Sequence, residues 1–314
     1  MTVFAMVFPG QGVQTVGMLA ELAEDHLIVE ATFAEASNVL KYDLWHLVQH
    51  GPADELNKTL HTQPALLASS VAIWRLWQHH GGREPAFMAG HSLGEYSALV
   101  CAGSLDFTVA IKLVALRGRL MQEAVPAGNE AMSAIIGLDI DAIAYACERA
   151  AQGQVVAPVN FNSPGQVVIA GHKEAVERAG ICCKKAGAKR ALLLPVSVPA
   201  HCDLMKPAAT KLAQALELVT LAAPQLPVIN NVDVRAEYNP TAIRQALVRQ
   251  LYSPVRWTET VEYLAAHSVE ALLEVGPGNV LTGLTKRIVG TLSGTAVNDP
   301  ASLAAAIENA HWSY

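Results

Sequence analysis

The chain has 314 residues, of which 52% are hydrophobic and 16% are charged. This length fits one large domain plus a smaller one, and this composition excludes an intrinsically disordered protein. The formal net charge of −6 at pH 7 argues against a nucleic-acid-binding protein, because such proteins need a surplus of Lys and Arg to displace phosphate counterions.

The apolar segments and the cysteines indicate the compartment. No apolar run approaches the roughly 20 residues of a membrane-spanning helix, and the apolar segment Met1–Phe8 lacks the basic leader of a signal peptide. The cysteines, an odd number, show neither C-x-x-C spacing nor a metal-ligand pattern. We therefore expect a cytoplasmic protein that neither spans a membrane nor holds a metal.

The first part of the chain alternates strands and helices. We predict a strand over Val3–Phe8, a helix that begins at Pro64 and runs through His80, a strand over Ala86–Ala89 and a helix over Phe107–Ala124. Alternation of this kind predicts a parallel sheet covered by helices.

The pattern changes between residues 128 and 197, where the predicted order β-α-β-β-α-β is that of a ferredoxin-like unit. Its predicted elements are a strand over Ala131–Gly137, a helix over Ile140–Ala151, two strands joined at Asn162–Gly165, a helix over Lys173–Gly187 and a strand over Arg190–Val196. After residue 197 the alternation of strands and helices resumes. We therefore expect a discontinuous large domain over residues 1–127 and 198–314, with a ferredoxin-like subdomain over residues 128–197 inserted into it.

The strongest chemical signal is the motif Gly90-His91-Ser92-Leu93-Gly94, which lies between a predicted strand and a predicted helix. Strand, tight turn and helix form the nucleophile elbow of α/β-hydrolases, so we expect an α/β-hydrolase-like large domain with Ser92 at the tip of the turn. The Leu93 amide is the first candidate donor to an oxyanion. The loop at Gln11 is the second, because the carboxyl-end loops of a parallel sheet share one face.

A serine hydroxyl needs a base that takes its proton, and His201 is the candidate among eleven histidines. It lies where the chain leaves the predicted subdomain, at the seam where a cleft would form. The alternative role for His201 is that of a hydrogen-bonded histidine at a domain joint. His91, beside Ser92, is expected only to shape the turn.

Arg117 and Arg119 lie on the same predicted helix but have different neighbours. The residues three and four positions from Arg117 are apolar, whereas Arg119 has Gln122 and Glu123 beside it. We therefore expect Arg117 to point inward. A buried guanidinium needs a carboxylate partner, and the sequence alone leaves open whether a structural Asp or Glu or a substrate supplies it.

Several segments together resemble one family, the malonyl-CoA:acyl carrier protein transacylases of dissociated (type II) fatty acid synthesis. They are F-P-G-Q-G at 8–12, T-Q-P-A at 62–65, G-H-S-L-G-E-Y at 90–96, Arg117, N-F-N-S-P-G-Q at 160–166, V-P-A-H at 198–201 and E-V-G-P-G at 274–278. The chain departs from the family at Val13 and Ala200, where serine is frequent. Neither position carries a catalytic atom.

The resemblance implies a role for six residues: nucleophile for Ser92, base for His201, oxyanion-hole donors for the amides of Gln11 and Leu93, malonyl carboxylate binding for Arg117, and orientation of the base by the backbone carbonyl of Gln250. It implies malonyl-CoA as donor and the phosphopantetheine thiol of acyl carrier protein as acceptor. The implied reaction is ping-pong through a malonyl-serine. The implied enzyme is a cytoplasmic monomer without a permanently bound cofactor.

Other functions remain open at this point. A serine esterase or thioesterase shares G-x-S-x-G, but its histidine normally lies late in the chain, whereas residues 202–314 follow His201 here. A non-catalytic carrier-docking or scaffold subunit would not need Ser92, His201 and Arg117 together. A loader for polyketide synthesis or for malonate decarboxylase would have a similar sequence.

The basic cluster of Lys184, Lys185, Lys189 and Arg190 has two interpretations. We interpret it as a solvated surface, with a contact for an acidic partner as the alternative.

Overall fold

The computed structural model describes residues 2–126, 128–195 and 198–311. Its strands are β1 (Phe4–Phe8), β2 (Phe87–Gly90), β3 (Glu130–Ile136), β4 (Val156–Ser163), β5 (Gln166–His172), β6 (Arg190–Leu193), β7 (Val228–Ile229), β8 (Ala271–Val275) and β9 (Ser293–Val297). Its α-helices are α1 (Ala20–Asp25), α2 (Leu27–Leu40), α3 (Leu44–His50), α4 (Ala53–Leu56), α5 (Thr59–His79), α6 (Gly94–Cys101), α7 (Phe107–Glu123), α8 (Ile140–Ala151), α9 (Lys173–Lys185), α10 (Lys206–Glu217), α11 (Pro240–Gln250), α12 (Trp257–Ala266), α13 (Val280–Ile288) and α14 (Pro300–His311). Along these ranges, no helix is both long and apolar enough to cross a membrane.

A parallel sheet in the order β7-β2-β1-β8-β9 forms the larger part of the protein. Its central strand β1 is buried on both faces. Met6 and Phe8 face a core shared with α5 and α7, whereas Ala5 and Val7 face a second core shared with α12 and α13. Burial on both faces explains why β1 reads as an unbroken apolar run.

An antiparallel sheet in the order β4-β5-β3-β6 forms the smaller part. The side chains of β5 alternate between its two faces. Val167 and Ile169 pack against α8 and α9, whereas Val168 and Ala170 pack on the opposite face with Cys202, the residue after His201. This second face is therefore turned toward the segment that returns to the parallel sheet.

Strand β4 is hydrogen-bonded to the segment that precedes α12. The Val255 N–H donates to the Val159 carbonyl at 2.8 Å, and the Phe161 N–H donates to the Val255 carbonyl at 2.9 Å. The Thr258 hydroxyl donates to the Phe161 carbonyl at 2.9 Å. These contacts hold Asn160, between the two β4 residues, at the junction of the two sheets.

The prediction of a mixed α/β fold is confirmed, since the structure has one parallel sheet and a second, antiparallel one. The helix predicted over Ile140–Ala151 has those bounds, and Arg117 lies on its predicted helix. The strand predicted over Arg190–Val196 ends at Leu193, and Val196 lies outside the described residues.

The prediction that a helix begins at Pro64 is wrong, because α5 begins at Thr59 and Pro64 lies inside it. A proline inside a helix removes one hydrogen bond, and other contacts hold the turn before it. The Thr62 hydroxyl donates to the Leu56 carbonyl at 2.6 Å. A Cβ on Gly118 of α7 would lie 2.6 Å from the Thr59 carbonyl oxygen, so α7 packs closely against this turn. Tertiary contacts therefore determine where the helix begins.

Candidate active site

Ser92 lies in a strained turn between β2 and α6. Its φ of 53° lies in the left-handed region, which residues other than glycine seldom adopt. Its N–H donates to Asn231 Oδ1 at 2.7 Å, and its carbonyl accepts from Gln250 Nε2 at 3.0 Å. Two buried side-chain amides therefore hold both backbone polar groups of Ser92.

The two glycines of the motif are required by close backbone contacts. A Cβ on Gly90 would lie 1.8 Å from the carbonyl carbon of Gly94, and a Cβ on Gly94 would lie 2.0 Å from the carbonyl oxygen of Phe8. Real Cβ atoms do not approach so closely. Glycine at position 90 therefore lets the turn close onto the start of α6, and glycine at position 94 lets α6 pack against the end of β1.

His201 lies within hydrogen-bonding distance of Ser92, in the geometry that a general base requires. Its Nε2 lies 2.7 Å from Ser92 Oγ, and its Nδ1 lies 2.7 Å from the carbonyl oxygen of Gln250. Because a carbonyl only accepts hydrogen bonds, Nδ1 carries the proton and Nε2 of the neutral ring accepts from the serine hydroxyl.

The surroundings of His201 keep its imidazole neutral. The side chain is buried, and burial together with the nearby Arg117 cation lowers the pKa of His201 to about 3. A neutral imidazole is the form that can take a proton from Ser92.

Arg117 points inward, and its guanidinium is held by neutral groups. Nη1 donates to Gln63 Oε1 at 2.9 Å, and Nη2 donates to Gln250 Oε1 at 3.0 Å and to Ser92 Oγ at 3.3 Å. The guanidinium also lies 5.4 Å from the ring centre of Tyr96. Among the described residues, no Asp or Glu forms an ion pair with it. The sequence leaves open whether a structural Asp or Glu or a substrate pairs with Arg117. The described residues supply no such Asp or Glu.

Glu95 is another buried ionisable group close to Ser92. Its Oε2 accepts from Gln250 Nε2 at 2.8 Å and from the Asn231 backbone N–H at 3.0 Å. Burial raises the pKa of Glu95 to about 7. Because the Gln250 amide bonds Arg117 through its oxygen and Glu95 through its nitrogen, it separates the buried cation from the nearest buried carboxyl.

The two predicted oxyanion-hole residues lie on neighbouring loops. Leu93 precedes the first residue of α6, and Gln11 follows β1, where its Nε2 donates to Thr59 Oγ1 at 3.2 Å. In the described ranges, neither backbone N–H of this pair donates a hydrogen bond. Both amides can therefore donate to a ligand.

A cavity of about 120 Å³ lies between the two sheets. Five of the six predicted site residues line it: Gln11, Ser92, Leu93, Arg117 and His201. The sixth, Gln250, binds the far side of the His201 ring through its carbonyl. The smaller sheet and the segment after it contribute Met132, Asn160 and Leu194. No group of three His, Cys, Asp or Glu side chains in the described ranges could hold a metal ion.

Comparison with known proteins assigns the family. The acyl transferase domain family matches residues 5–305. The malonyl CoA-acyl carrier protein transacylase of Escherichia coli (strain K12) is 70% identical over 308 residues, which are 98% of this chain and 100% of that protein. The chain belongs to the malonyl CoA-acyl carrier protein transacylase family. It is therefore an acyltransferase.

Solved members of the transacylase family have the same fold. The acyl carrier protein S-malonyltransferase from Vibrio cholerae O1 biovar eltor is 70% identical, with a TM-score of 0.95 over 97% of this chain and 99% of that one. A malonyl-transacylase solved in complex with its type II PKS acyl-carrier protein is 69% identical, with a TM-score of 0.97 over 98% of this chain and 100% of that one.

Sequence reasoning missed the structural role of four residues around the candidate site: Gln63, His91, Glu95 and Asn231. His91, expected only to shape the turn, also contacts Asn162 Oδ1 through its Nε2 at 2.8 Å and lines the cavity. Asn231 follows the carboxyl end of β7, where site residues of parallel sheets gather, so its position was a usable signal.

Proposed function

We propose that this chain transfers the malonyl group of malonyl-CoA to the phosphopantetheine thiol of an acyl carrier protein. One observation carries this proposal: the buried cation of Arg117 lies 3.3 Å from Ser92 Oγ and pairs with no carboxylate of the described residues. A buried charge without a partner is costly. An acyl group that ends in a carboxylate supplies the missing partner when it lies beside Ser92.

The first half of the reaction forms a malonyl-serine. As Ser92 Oγ attacks the thioester carbonyl, His201 Nε2 takes its proton. The Gln250 carbonyl keeps the other proton of the ring on Nδ1, and so stabilises the imidazolium that forms. The amides of Gln11 and Leu93 donate to the oxyanion. The carbon–sulfur bond then breaks, and His201 gives its proton to the departing coenzyme A thiolate.

The second half reverses these roles. The phosphopantetheine thiol gives its proton to His201, and the resulting thiolate attacks the malonyl-serine carbonyl. The bond between the acyl carbon and Ser92 Oγ breaks, and His201 returns the proton to the serine. This ping-pong sequence needs no metal or redox cofactor, and it regenerates the enzyme.

We propose the acyl carrier protein of fatty acid synthesis as the acceptor, which makes the product a substrate for chain elongation. A carrier of type II polyketide synthesis is the second candidate. It is favoured by the 69% identity to the malonyl-transacylase that was solved with such a carrier.

We propose the following domain division, which the order of the strands supports. We assign an α/β-hydrolase-like domain to residues 1–127 and 198–314, because Ser92 follows a central strand of a parallel sheet and precedes a helix. We assign a ferredoxin-like subdomain to residues 128–197, because its β-α-β-β-α-β elements form one antiparallel sheet with both helices on one face. Residues 1, 127, 196–197 and 312–314 of these assignments lie outside the described residues. A monomer in the cytoplasm remains our prediction.

Radioactive malonyl-CoA tests the proposal. The wild-type protein should acquire one label that moves to a purified holo acyl carrier protein, whereas Ser92→Ala should acquire none. A stable label on the Ser92→Ala variant contradicts the nucleophile. Release of free malonate without a thiol, at the rate of transfer, supports a thioesterase instead.

A further inference from the structure

Glu95 is a buried carboxyl to which the proposed reaction gives no step. Its side chain is 2% exposed and does not line the cavity beside Ser92. One of its two oxygens, Oε2, nevertheless accepts two hydrogen bonds, from Gln250 Nε2 at 2.8 Å and from the Asn231 N–H at 3.0 Å.

The two residues that Glu95 binds are those that hold the nucleophile. Asn231 accepts the Ser92 N–H at 2.7 Å and donates to the Gly90 carbonyl at 2.6 Å. Gln250 donates to the Ser92 carbonyl at 3.0 Å. Both side chains are fully buried. Water therefore cannot replace these bonds without a change in the packing.

The backbone of Ser92 needs such restraint. With a φ of 53°, Ser92 occupies a conformation that a residue with a Cβ adopts only when its surroundings impose it. The side chain of Asn231 binds the N–H of Ser92, and the side chain of Gln250 binds its carbonyl. If either amide rotates, the turn can relax and the hydroxyl moves relative to His201.

We propose that Glu95 is a positioning residue that keeps Ser92 in its left-handed conformation by fixing the side chain of Gln250 and the backbone of Asn231. The proposal rests on the proposed role of Ser92 as the nucleophile. Gln250 also binds Arg117 through Oε1 and His201 through its carbonyl, so the same restraint extends to the base and to the cation.

Three variants separate this role from a general contribution to folding. Glu95→Gln keeps a carbonyl oxygen that can accept both hydrogen bonds, whereas Glu95→Met is of similar size and has no such acceptor. Glu274→Met is the matched control. Glu274 is also a fully buried carboxyl that accepts two backbone N–H groups, at Leu281 and Thr282, but within the described ranges it forms no hydrogen bond with Ser92, Asn231 or Gln250.

The experiment measures the rate of Ser92 acylation in a single turnover with malonyl-CoA, per folded molecule, with the folded fraction taken from circular dichroism. We expect Glu95→Gln to acylate at close to the wild-type rate. We expect the acylation rate of Glu95→Met to fall about 100-fold, which is the effect of a displacement of about 1 Å in a catalytic group. Glu274→Met should acylate normally per folded molecule.

A double-mutant cycle adds a measurement that a purely structural role would not change. In the Gln250→Met background, the loss caused by Glu95→Met should shrink, because one of the two residues through which Glu95 acts is already gone. Full additivity overturns the proposal. So does a wild-type acylation rate in Glu95→Met, or a loss that Glu274→Met shares.

Two further measurements cover the cases in which Glu95→Met does not fold or the proposed function fails. If Glu95→Met does not fold, Glu95→Asp takes its place, because the shorter side chain cannot reach both donors and should also slow acylation. If the wild-type protein takes no label from malonyl-CoA, the proposed function fails. The rate of Ser92 modification by phenylmethylsulfonyl fluoride then tests Glu95 separately, with the same expected order of variants.

Discussion

The guanidinium of Arg117 donates a 2.9 Å hydrogen bond to the amide oxygen of Gln63, and both side chains are 1% exposed. An amide orients a cation without neutralising it, whereas a carboxylate would do both. Arg117 is thus held in place while its charge remains available. This pairing explains how a buried arginine can be both rigid and ready to bind an acid group.

Removal of Arg117 should impair malonyl transfer much more than acetyl transfer. With malonyl-CoA, the Arg117→Ala variant should lose about 2–5 kcal/mol of transition-state stabilisation, the usual effect of truncating one partner of a buried charge pair. With acetyl-CoA the loss should be far smaller. The kcat/KM for both donors measures this difference. Arg119→Ala is the control, since Arg119 lies on the same helix with a side chain that is 61% exposed. Equal losses for both donors in Arg117→Ala would indicate a structural arginine.

The isosteric change Gln63→Glu should reduce the selectivity for malonyl. A carboxylate at this position would pair with Arg117 and compete with the carboxylate of the acyl group. We expect kcat/KM for malonyl-CoA to fall by about tenfold or more, equivalent to about 1.4 kcal/mol, with a smaller change for acetyl-CoA. Gln63→Met, which lacks both charge and acceptor, is the control and should keep the ratio of the two donors closer to wild type. An unchanged ratio in Gln63→Glu contradicts this explanation of selectivity.

Local patterns in the sequence predicted the residues whose neighbours along the chain reveal them. Ser92 lies in a motif between a strand and a helix, and Arg117 has apolar neighbours one helical turn away. The residues that surround them in space could not be found in this way. Glu95 binds the backbone of Asn231, which lies 136 positions later in the chain, and such pairs depend on the arrangement of the strands. The start of α5 was missed for the same reason, because contacts with α7 and not the position of Pro64 determine it.

Acylation should not follow the titration of an ordinary histidine. Because the pKa of His201 lies at about 3, the imidazole stays neutral and can act as a base throughout pH 5–8. The single-turnover rate per folded molecule should therefore show no fall with a midpoint near pH 6.5. Glu95→Gln is measured in parallel, because it removes the neighbouring carboxyl with a pKa of about 7. A midpoint near pH 6.5 in both proteins contradicts the neutral, buried base.

Glu95→Gln should also change how stability depends on pH. The folded protein holds the Glu95 proton up to a pKa of about 7, compared with the ordinary 4.5. The contribution of the protonated carboxyl is therefore fully present below pH 4.5 and is lost as the pH rises through 7. Glutamine cannot ionise, so the variant should gain on the order of 3 kcal/mol relative to wild type between pH 4.5 and pH 8. Urea unfolding of both proteins at both pH values measures this gain. If the free energy of unfolding changes equally with pH in the wild type and in Glu95→Gln, the prediction is contradicted.

An added methyl group at Gly94 should damage the fold and the nucleophile together. The new Cβ would lie 2.0 Å from the Phe8 carbonyl oxygen, so α6 must move away from β1 and carry Ser92 with it. We expect Gly94→Ala to cost at least about 1–3 kcal/mol in the free energy of unfolding and to slow acylation per folded molecule.

Gly283→Ala is the matched control for Gly94→Ala, because Gly283 also lies in a helix but nothing lies within 4 Å of its added Cβ. It should stabilise the protein by up to about 1 kcal/mol, since alanine favours the helix, and leave acylation unchanged. If Gly94→Ala is stable but slow, the turn relaxes without unfolding, and the tight contact with β1 serves mainly to position Ser92. If Gly94→Ala behaves like Gly283→Ala in both measurements, that contact is not what holds the elbow.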